Sequence, residues 1–155
     1  FRNLQKLKKP LYLSSFTIVS SCKEAMEAQG KTDLGPMDYL ECLLSIRDNF
    51  RKITQVKDEG FIYALSAVMS MVPLEVVAKL NDIIYEFTSE VIENTTNTIV
   101  IKYCVVVLQF LLESKTQEQW KSEQQTLDIF MRLFHLGLHS KDLIKRQAIR
   151  SFMVI

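Results

Sequence analysis

Few residues in this chain stand at spacings that could do chemistry. His135 and His139 lie four apart, and two imidazoles one helical turn apart could share a metal ion. The residue after His135 is Leu136, where a zinc protease needs its glutamate, and these are the only histidines. No nearby carboxylate completes a ligand set, so no metal is expected. The end of a helix accounts for them better, because His and the following Lys141 suit the negative end of the helix dipole. Glycines at 30, 35, 60 and 137 are too scattered for a phosphate loop. No Gly-x-Ser-x-Gly elbow and no Cys-His pair at motif spacing is present. Asp58, Glu59, Glu75, Asp82, Glu86, Glu90 and Glu93 read as a solvated helix face. The chain is therefore expected not to be an enzyme, with no catalytic residue, no cofactor and no small-molecule substrate.

Two basic clusters remain. Arg2, Lys6, Lys8 and Lys9 stand near the start; Lys141, Lys145, Arg146 and Arg150 stand near the end. Arg146 and Arg150 are one turn apart and off the face that carries Ile144, Ala148, Phe152 and Ile155. A solvated face explains such a pattern. So does a contact for phosphate or an acidic partner, since Lys and Arg on a rigid helix neutralise phosphates well. Lys141, Lys145, Arg146 and Arg150 are accordingly the candidate RNA- or acidic-partner-binding residues. Trp120 is the lone tryptophan and is expected to anchor a helical hairpin from the core, with an exposed partner contact as the other reading.

Composition limits what these residues can belong to. The 155 residues carry 19 Lys and Arg against 18 Asp and Glu, a net charge of +1, so no global field steers the chain to nucleic acid or an anionic membrane. Four glycines and three prolines fall well below the usual combined share of roughly 12%. With 48% apolar residues, this excludes disorder and turn-rich β architectures. Cys22, Cys42 and Cys104 are far apart in sequence and odd in number, which suits reduced structural thiols rather than disulfides or zinc. The longest apolar run, from Ile99 to Leu112, is broken by Lys102 and Gln109 and is too short to span a membrane. There is no signal-peptide pattern. Asn94-Thr95-Thr96 matches a glycosylation sequon, a motif that chance produces often. The chain opens on Phe1 and closes on an apolar helical run at Ile155, and it reads as a piece of something longer.

Apolar periodicity predicts helices throughout. The first runs from Leu11, after Pro10, to about Gln29, with Phe16, Ile18, Cys22 and Met26 on its stripe and Gly30 as its stop. A second opens at Pro36 and a third near Lys57, ending at Val72-Pro73. The fourth follows from Pro73 to about Val91. The fifth, about Thr98 to Glu113, is apolar nearly all round and is expected to be the most buried. Thr116 and Gln119 form a capping box that opens a sixth, carrying Trp120, Leu127, Ile129, Phe130, Leu133, Phe134 and Leu138. Ser140 is expected to cap a seventh that runs to the end. Alternate helices start roughly 40 residues apart, the period of HEAT and armadillo arrays. The expected fold is all-α, a HEAT/armadillo-like superhelical array of about seven helices. Residues 1–35 form a leading helix and linker, and 36–72, 73–113 and 114–155 form three antiparallel hairpins. A closed helical bundle is the alternative.

The stretch Ser140-Lys141-Asp142-Leu143-Ile144-Lys145-Arg146-Gln147-Ala148 resembles the second-helix signature of HEAT repeats. Four segments carry a closer likeness. They are Met37 to Leu43, Ala64-Leu65 through Val72-Pro73 to Leu80, Tyr103 to Leu112 with Gln119-Trp120, and His139 to Arg146. In order and spacing they resemble the N-terminal region of the ribosomal RNA processing protein twelve family, large HEAT-repeat factors of small-subunit ribosome assembly and nuclear export. The resemblance covers about residues 36–150. It implies a karyopherin-like scaffold of the nucleolus and nucleus that binds pre-ribosomal RNA and assembly or export proteins. It offers no catalytic residue, and only Lys141, Lys145 and Arg146 fall on its basic helix signature. The alternative is a HEAT-repeat transport receptor or cytosolic adaptor that binds protein and has no RNA affinity. Either way, neighbouring repeats are expected partners and a membrane is not.

Overall fold

The structure is a computed structural model that describes the backbone of residues 2–54 and 58–155 and the side chains of 15–45 and 60–155. The described residues are all-α, with nine helices and no strand. They are α1 (Arg2–Ala28), α2 (Pro36–Thr54), α3 (Asp58–Met69), α4 (Leu74–Lys79), α5 (Asn81–Asn94), α6 (Thr98–Glu113), α7 (Gln117–Ser122), α8 (Gln124–Gly137) and α9 (Asp142–Val154). They form two compact units, residues 1–71 and 72–155.

In the first unit α1, α2 and α3 pack on one another. The first helix starts at Arg2 rather than Leu11, so Pro10 lies within it. Its inward stripe is Ser15, Ile18, Cys22 and Met26; Phe16, expected on that stripe, is exposed. Gly30 ends it as the sequence predicts, with a positive φ of 82° that costs a glycine nothing. The Gly30 N–H donates to Glu27 and the Lys31 N–H to Met26, which satisfies two carbonyls that a helix end leaves open. Leu40 and Leu43 of α2 and Ile62 and Leu65 of α3 complete the core.

The second unit is two successive blocks of the same design. Each has a six-residue helix, a one-residue break, a 14-residue helix, a short loop and a further helix, of 16 residues in the first block and 13 in the second: α4–α5–α6, then α7–α8–α9. Two helices expected to run unbroken are thus divided, at Leu80 and at Glu123, which raises seven expected helices to nine. Leu80 closes α4 with an i−3 bond to Val77, and the break frees the Asn81 amide to donate to the Leu111 carbonyl (3.2 Å) and to Ser114 (3.1 Å). Glu123 adopts extended backbone and is held by Lys115. Neither break carries Gly or Pro; the partners at the first are 30 and 33 residues away, the partner at the second eight.

These contacts also give the directions of the helices. Asn81 at the start of α5 meets Leu111 and Ser114 at the end of α6, so that pair is antiparallel. Gln125 at the start of α8 donates to Asp82 at the start of α5, and Arg132 reaches the Ser89 carbonyl and Glu93, so α5 and α8 run parallel. Ser151 near the end of α9 donates to Gln109 near the end of α6, so α6 and α9 run parallel. The bonds from Gln125, Arg132 to Ser89, and Ser151 join residues 43, 43 and 42 apart. The bond from Arg132 to Glu93 spans 39, so the second helix pair packs beside the first through bonds that join residues 39 to 43 apart.

Helix α6 lies at the centre, packed against α4, α5, α8 and α9. It is fully helical despite its β-branched runs and buries eight residues, in line with its all-round apolar sequence. Asn97 caps it by accepting from the Ile99 and Val100 N–H groups. On α8 the inward stripe is Thr126, Ile129, Leu133 and Leu136. Leu127, Phe134 and Leu138 were expected inward and are instead exposed, because only one face of α8 meets α6 and α9.

Candidate functional site

Helix α9 positions the four basic residues predicted as a site. Ile144, Ala148 and Ser151 are fully buried and lock it onto α6 and α8, while Phe152 is half-buried and Ile155 exposed. Gly137 of α8 faces this helix, and a Cβ there would make ordinary van der Waals contact with Phe152 at 3.7 Å and Ala148 at 3.8 Å. With that stripe inward, the i, i+4 geometry turns Arg146 and Arg150 out to solvent together. Among the described residues neither has an ion-pair partner. Lys145 is half-buried and pairs with Asp142 at 3.5 Å, so part of its charge is answered within the helix.

Lys141, and not Ser140, stands at the start of the helix. The turn before it is wound by the Lys141 N–H, which donates to His139 Nδ1 at 3.0 Å. The Lys141 carbonyl then accepts from both Ile144 and Lys145, which leaves Ser140 outside the cap. The four cations therefore share one helix, with Lys141, Arg146 and Arg150 exposed and Lys145 partly neutralised. Apolar residues interrupt them: Leu143, Ile149 and Met153 are exposed on the same helix, a feature that reading charges alone does not reveal. The side chains of the first basic cluster, Arg2, Lys6, Lys8 and Lys9, lie outside the described residues.

The remaining candidates are placed as follows. Trp120 is 39% exposed and is not a core residue, because α7 buries none of its six residues. Its ring meets Phe130 edge-on at 6.0 Å, and Phe130 in turn meets Phe152 at 5.4 Å. The capping box that precedes it is complete, with Thr116 and Gln119 each accepting the other's backbone N–H. His135 and His139 border an open groove between α5 and α8 with Tyr85, Glu93, Asp128 and Arg132. Among the described residues no three His, Cys, Asp or Glu side chains converge as a metal site requires. No helix among them is long and apolar enough to cross a membrane.

Two polar features were not visible in the sequence. Cys22 and Cys42 come together between α1 and α2, where the Cys42 thiol donates weakly to the Cys22 carbonyl at 3.9 Å. Burial, and then the neighbouring Cys42, push the Cys22 thiol well above its ordinary range, and burial does the same to Cys104. The second is Lys115, whose side chain is almost wholly buried and donates to Glu123 (2.6 Å) and to Gln125 (3.1 Å). Glu123 also accepts from the Thr126 hydroxyl. The lysine contact, reinforced by Thr126, holds the Glu123 carboxyl below the usual carboxylate range. Cys22 and Cys42 are 20 residues apart and Lys115 lies eight residues before Glu123, and no local motif marks either group.

The sequence matches no protein-family model, and neither the curated proteins nor the solved structures contain a match to it.

Proposed function

We propose that the chain is a segment of a HEAT/armadillo-like scaffold that binds pre-ribosomal RNA and ribosome-assembly or export proteins in the nucleolus and nucleus. The observation that carries the repeat reading is that the bonds joining α5 to α8 and α6 to α9 all span 39 to 43 residues. A closed bundle has no reason to repeat its contacts at one period; a stack of like units does. Such stacks work by presenting extended surfaces, and the outward basic residues of α9 supply one for phosphate. The resemblance of residues 36–150 to the ribosomal RNA processing protein twelve family supplies the cellular setting.

Lys141, Arg146 and Arg150 are the residues assigned to the RNA backbone, with Lys145 contributing less because Asp142 already pairs with it. The contact is one of charge and position and carries no base readout, since phosphate contacts fix register without reading sequence. The test is fluorescence anisotropy with a single-stranded pre-ribosomal spacer RNA over a salt series. The double change Arg146→Ala with Arg150→Ala should weaken binding and lower the log–log salt slope by roughly 1.4, two phosphates at about 0.7 each on single strands. Helix content should not change, because both side chains are exposed. Equal affinity and slope in the double variant would remove the RNA role and leave the protein-binding adaptor.

A further inference from the structure

The fold brings two of the three free cysteines together. Cys22 stands on the inward stripe of α1 and is fully buried. Cys42 stands on α2, between Leu40 and Leu43 in sequence, and is half-buried. Its sulfur lies 3.9 Å from the Cys22 carbonyl oxygen, and the two thiols also meet side chain to side chain by hydrogen bond. The packing of α1 on α2 holds this contact across the turn at Gly30. Cys104 supplies the contrast. It is as fully buried, on α6, and burial raises its thiol as it raises that of Cys22. The neighbouring thiol adds to the rise at Cys22 and has no counterpart at Cys104. A buried thiol against a second thiol that reaches solvent is an arrangement that a small oxidant can enter and close.

We propose that Cys22 and Cys42 form a reversible dithiol–disulfide switch that ties α1 to α2 when a small disulfide such as oxidised glutathione accumulates. Cys42 is the entry point, because it is the one of the pair that reaches solvent. Its thiolate attacks one sulfur of oxidised glutathione. The glutathione S–S bond breaks, a mixed disulfide forms at Cys42, and the first glutathione leaves and takes up the proton that Cys42 gave to solvent. Cys22 then loses its proton to solvent and attacks the Cys42 sulfur. The mixed disulfide breaks, the Cys22–Cys42 bond forms, and the second glutathione leaves and is protonated. Two protein thiols are oxidised, and one glutathione disulfide is reduced to two thiols. Reduced glutathione runs the same steps backwards. The second step is the slower one, since the burial of Cys22 and its thiol neighbour both disfavour its thiolate. Where the surroundings are reducing, the pair stays open and closes only under oxidation. The bond fixes the first helical hairpin and uses no residue of α9, so the proposal stands whether or not α9 binds RNA.

The test equilibrates the folded 155-residue chain with reduced and oxidised glutathione over a range of ratios. Samples are quenched in acid, alkylated with N-ethylmaleimide in urea and weighed by mass spectrometry. The oxidised product should take up one N-ethylmaleimide, at Cys104, where the reduced chain with its three cysteines takes up three. Its trypsin digest should join the peptide that ends at Lys23 to the peptide Thr32–Arg47. Cys22→Ser should stop at the mixed disulfide on Cys42, and Cys42→Ser should leave Cys22 reduced. The same series on the parent chain unfolded in urea tests the fit without any variant. By linkage, a bond that suits the native geometry should form at least about tenfold more favourably in the folded chain than in the unfolded one. Three free thiols at every ratio overturn the proposal. So does a mixed disulfide on Cys42 that never passes to Cys22, a bridge that includes Cys104, or a folded chain that closes the bond no better than the unfolded one.

Discussion

Helices α6 and α9 hold the same place in successive blocks and differ in almost everything else. α6 buries eight of its 16 residues, while α9 buries Ile144, Ala148 and Ser151 out of 13. The charged residues of α6 are Lys102 and Glu113; α9 carries Asp142, Lys145, Arg146 and Arg150. Both nonetheless bury residues at the same spacing, Val100, Cys104 and Val107 on α6 and Ile144, Ala148 and Ser151 on α9. Coverage explains the difference. Among the described residues α6 packs against four helices, α9 chiefly against α6 and α8, and composition follows the number of faces covered. The basic residues of α9 are therefore not required by the helix or its packing, which is why they are open to serve a partner.

The comparison is broken most severely from within α6. Leu108 is fully buried at the centre of the second unit, and Leu108→Ala should cost about 2–5 kcal/mol through lost burial and the cavity left behind. Ile149→Ala on the open side of α9 should change stability by less than about 0.5 kcal/mol. Urea unfolding followed by circular dichroism checks both. Similar losses at the two sites would mean that α9 is covered as α6 is.

A smaller effect tests the seam between the two helices. The Ser151 hydroxyl donates to Gln109 Oε1 at 2.8 Å, while the Gln109 amide donates to Glu113 at 2.6 Å. Ser151→Ala removes a donor to an acceptor in a confined place, at about 1–2 kcal/mol. Gln109→Leu together with Ser151→Ala removes both partners and should recover part of that loss. A double variant no better than the single would show that shape at Ser151, and not the bond, carries the seam.

The same contrast separates what could be read in the sequence from what could not. Helix type, the depth of α6, the Thr116 capping box and the Gly30 stop are local properties of spacing and cap chemistry, and all are legible in the sequence. The direction in which an amphipathic stripe points is less so. Phe16, Leu127 and Phe134 each stand one and two residues from buried neighbours, spacings that set them off the inward stripe although their apolar character suits it. Periodicity alone cannot tell a helix with one covered face from a helix with two. The break at Leu80 was hidden because Asn81 answers to Leu111 and Ser114, which only tertiary packing brings near; the break at Glu123 was hidden because its Lys115 contact, eight residues away, follows no cap or turn motif. Within the candidate site, the outward placement of Arg146 and Arg150 was legible from their spacing. The partial neutralisation of Lys145 and the apolar neighbours Ile149 and Met153 were not, since charge patterning says nothing of exposed apolar groups between the charges.

The two breaks differ in kind, and acid should tell them apart. At Leu80 the junction is closed by the neutral Asn81 amide; at Glu123 it is closed by an ion pair to the buried Lys115. The folded Glu123 carboxyl titrates below its unfolded value of about 4.3, so its contribution is fully present above that pH. It is lost as the pH falls through the depressed folded value. Asp38 in the first unit behaves alike, held down by the Gly35 N–H and then by Lys31, and adds to the same acid loss. The side chain of Glu123 is 33% exposed, so solvent screening limits its share to about 1 kcal/mol or less. Lys115→Met fills the buried site with a stem of similar length and removes the charge. Its stability, measured by urea unfolding from neutral to acid pH, should fall less steeply below about pH 4.5 than that of the parent chain. The Asp38 contribution should remain in both. Parallel curves would mean that Lys115 holds the second break by packing alone, and the two junctions would then be alike.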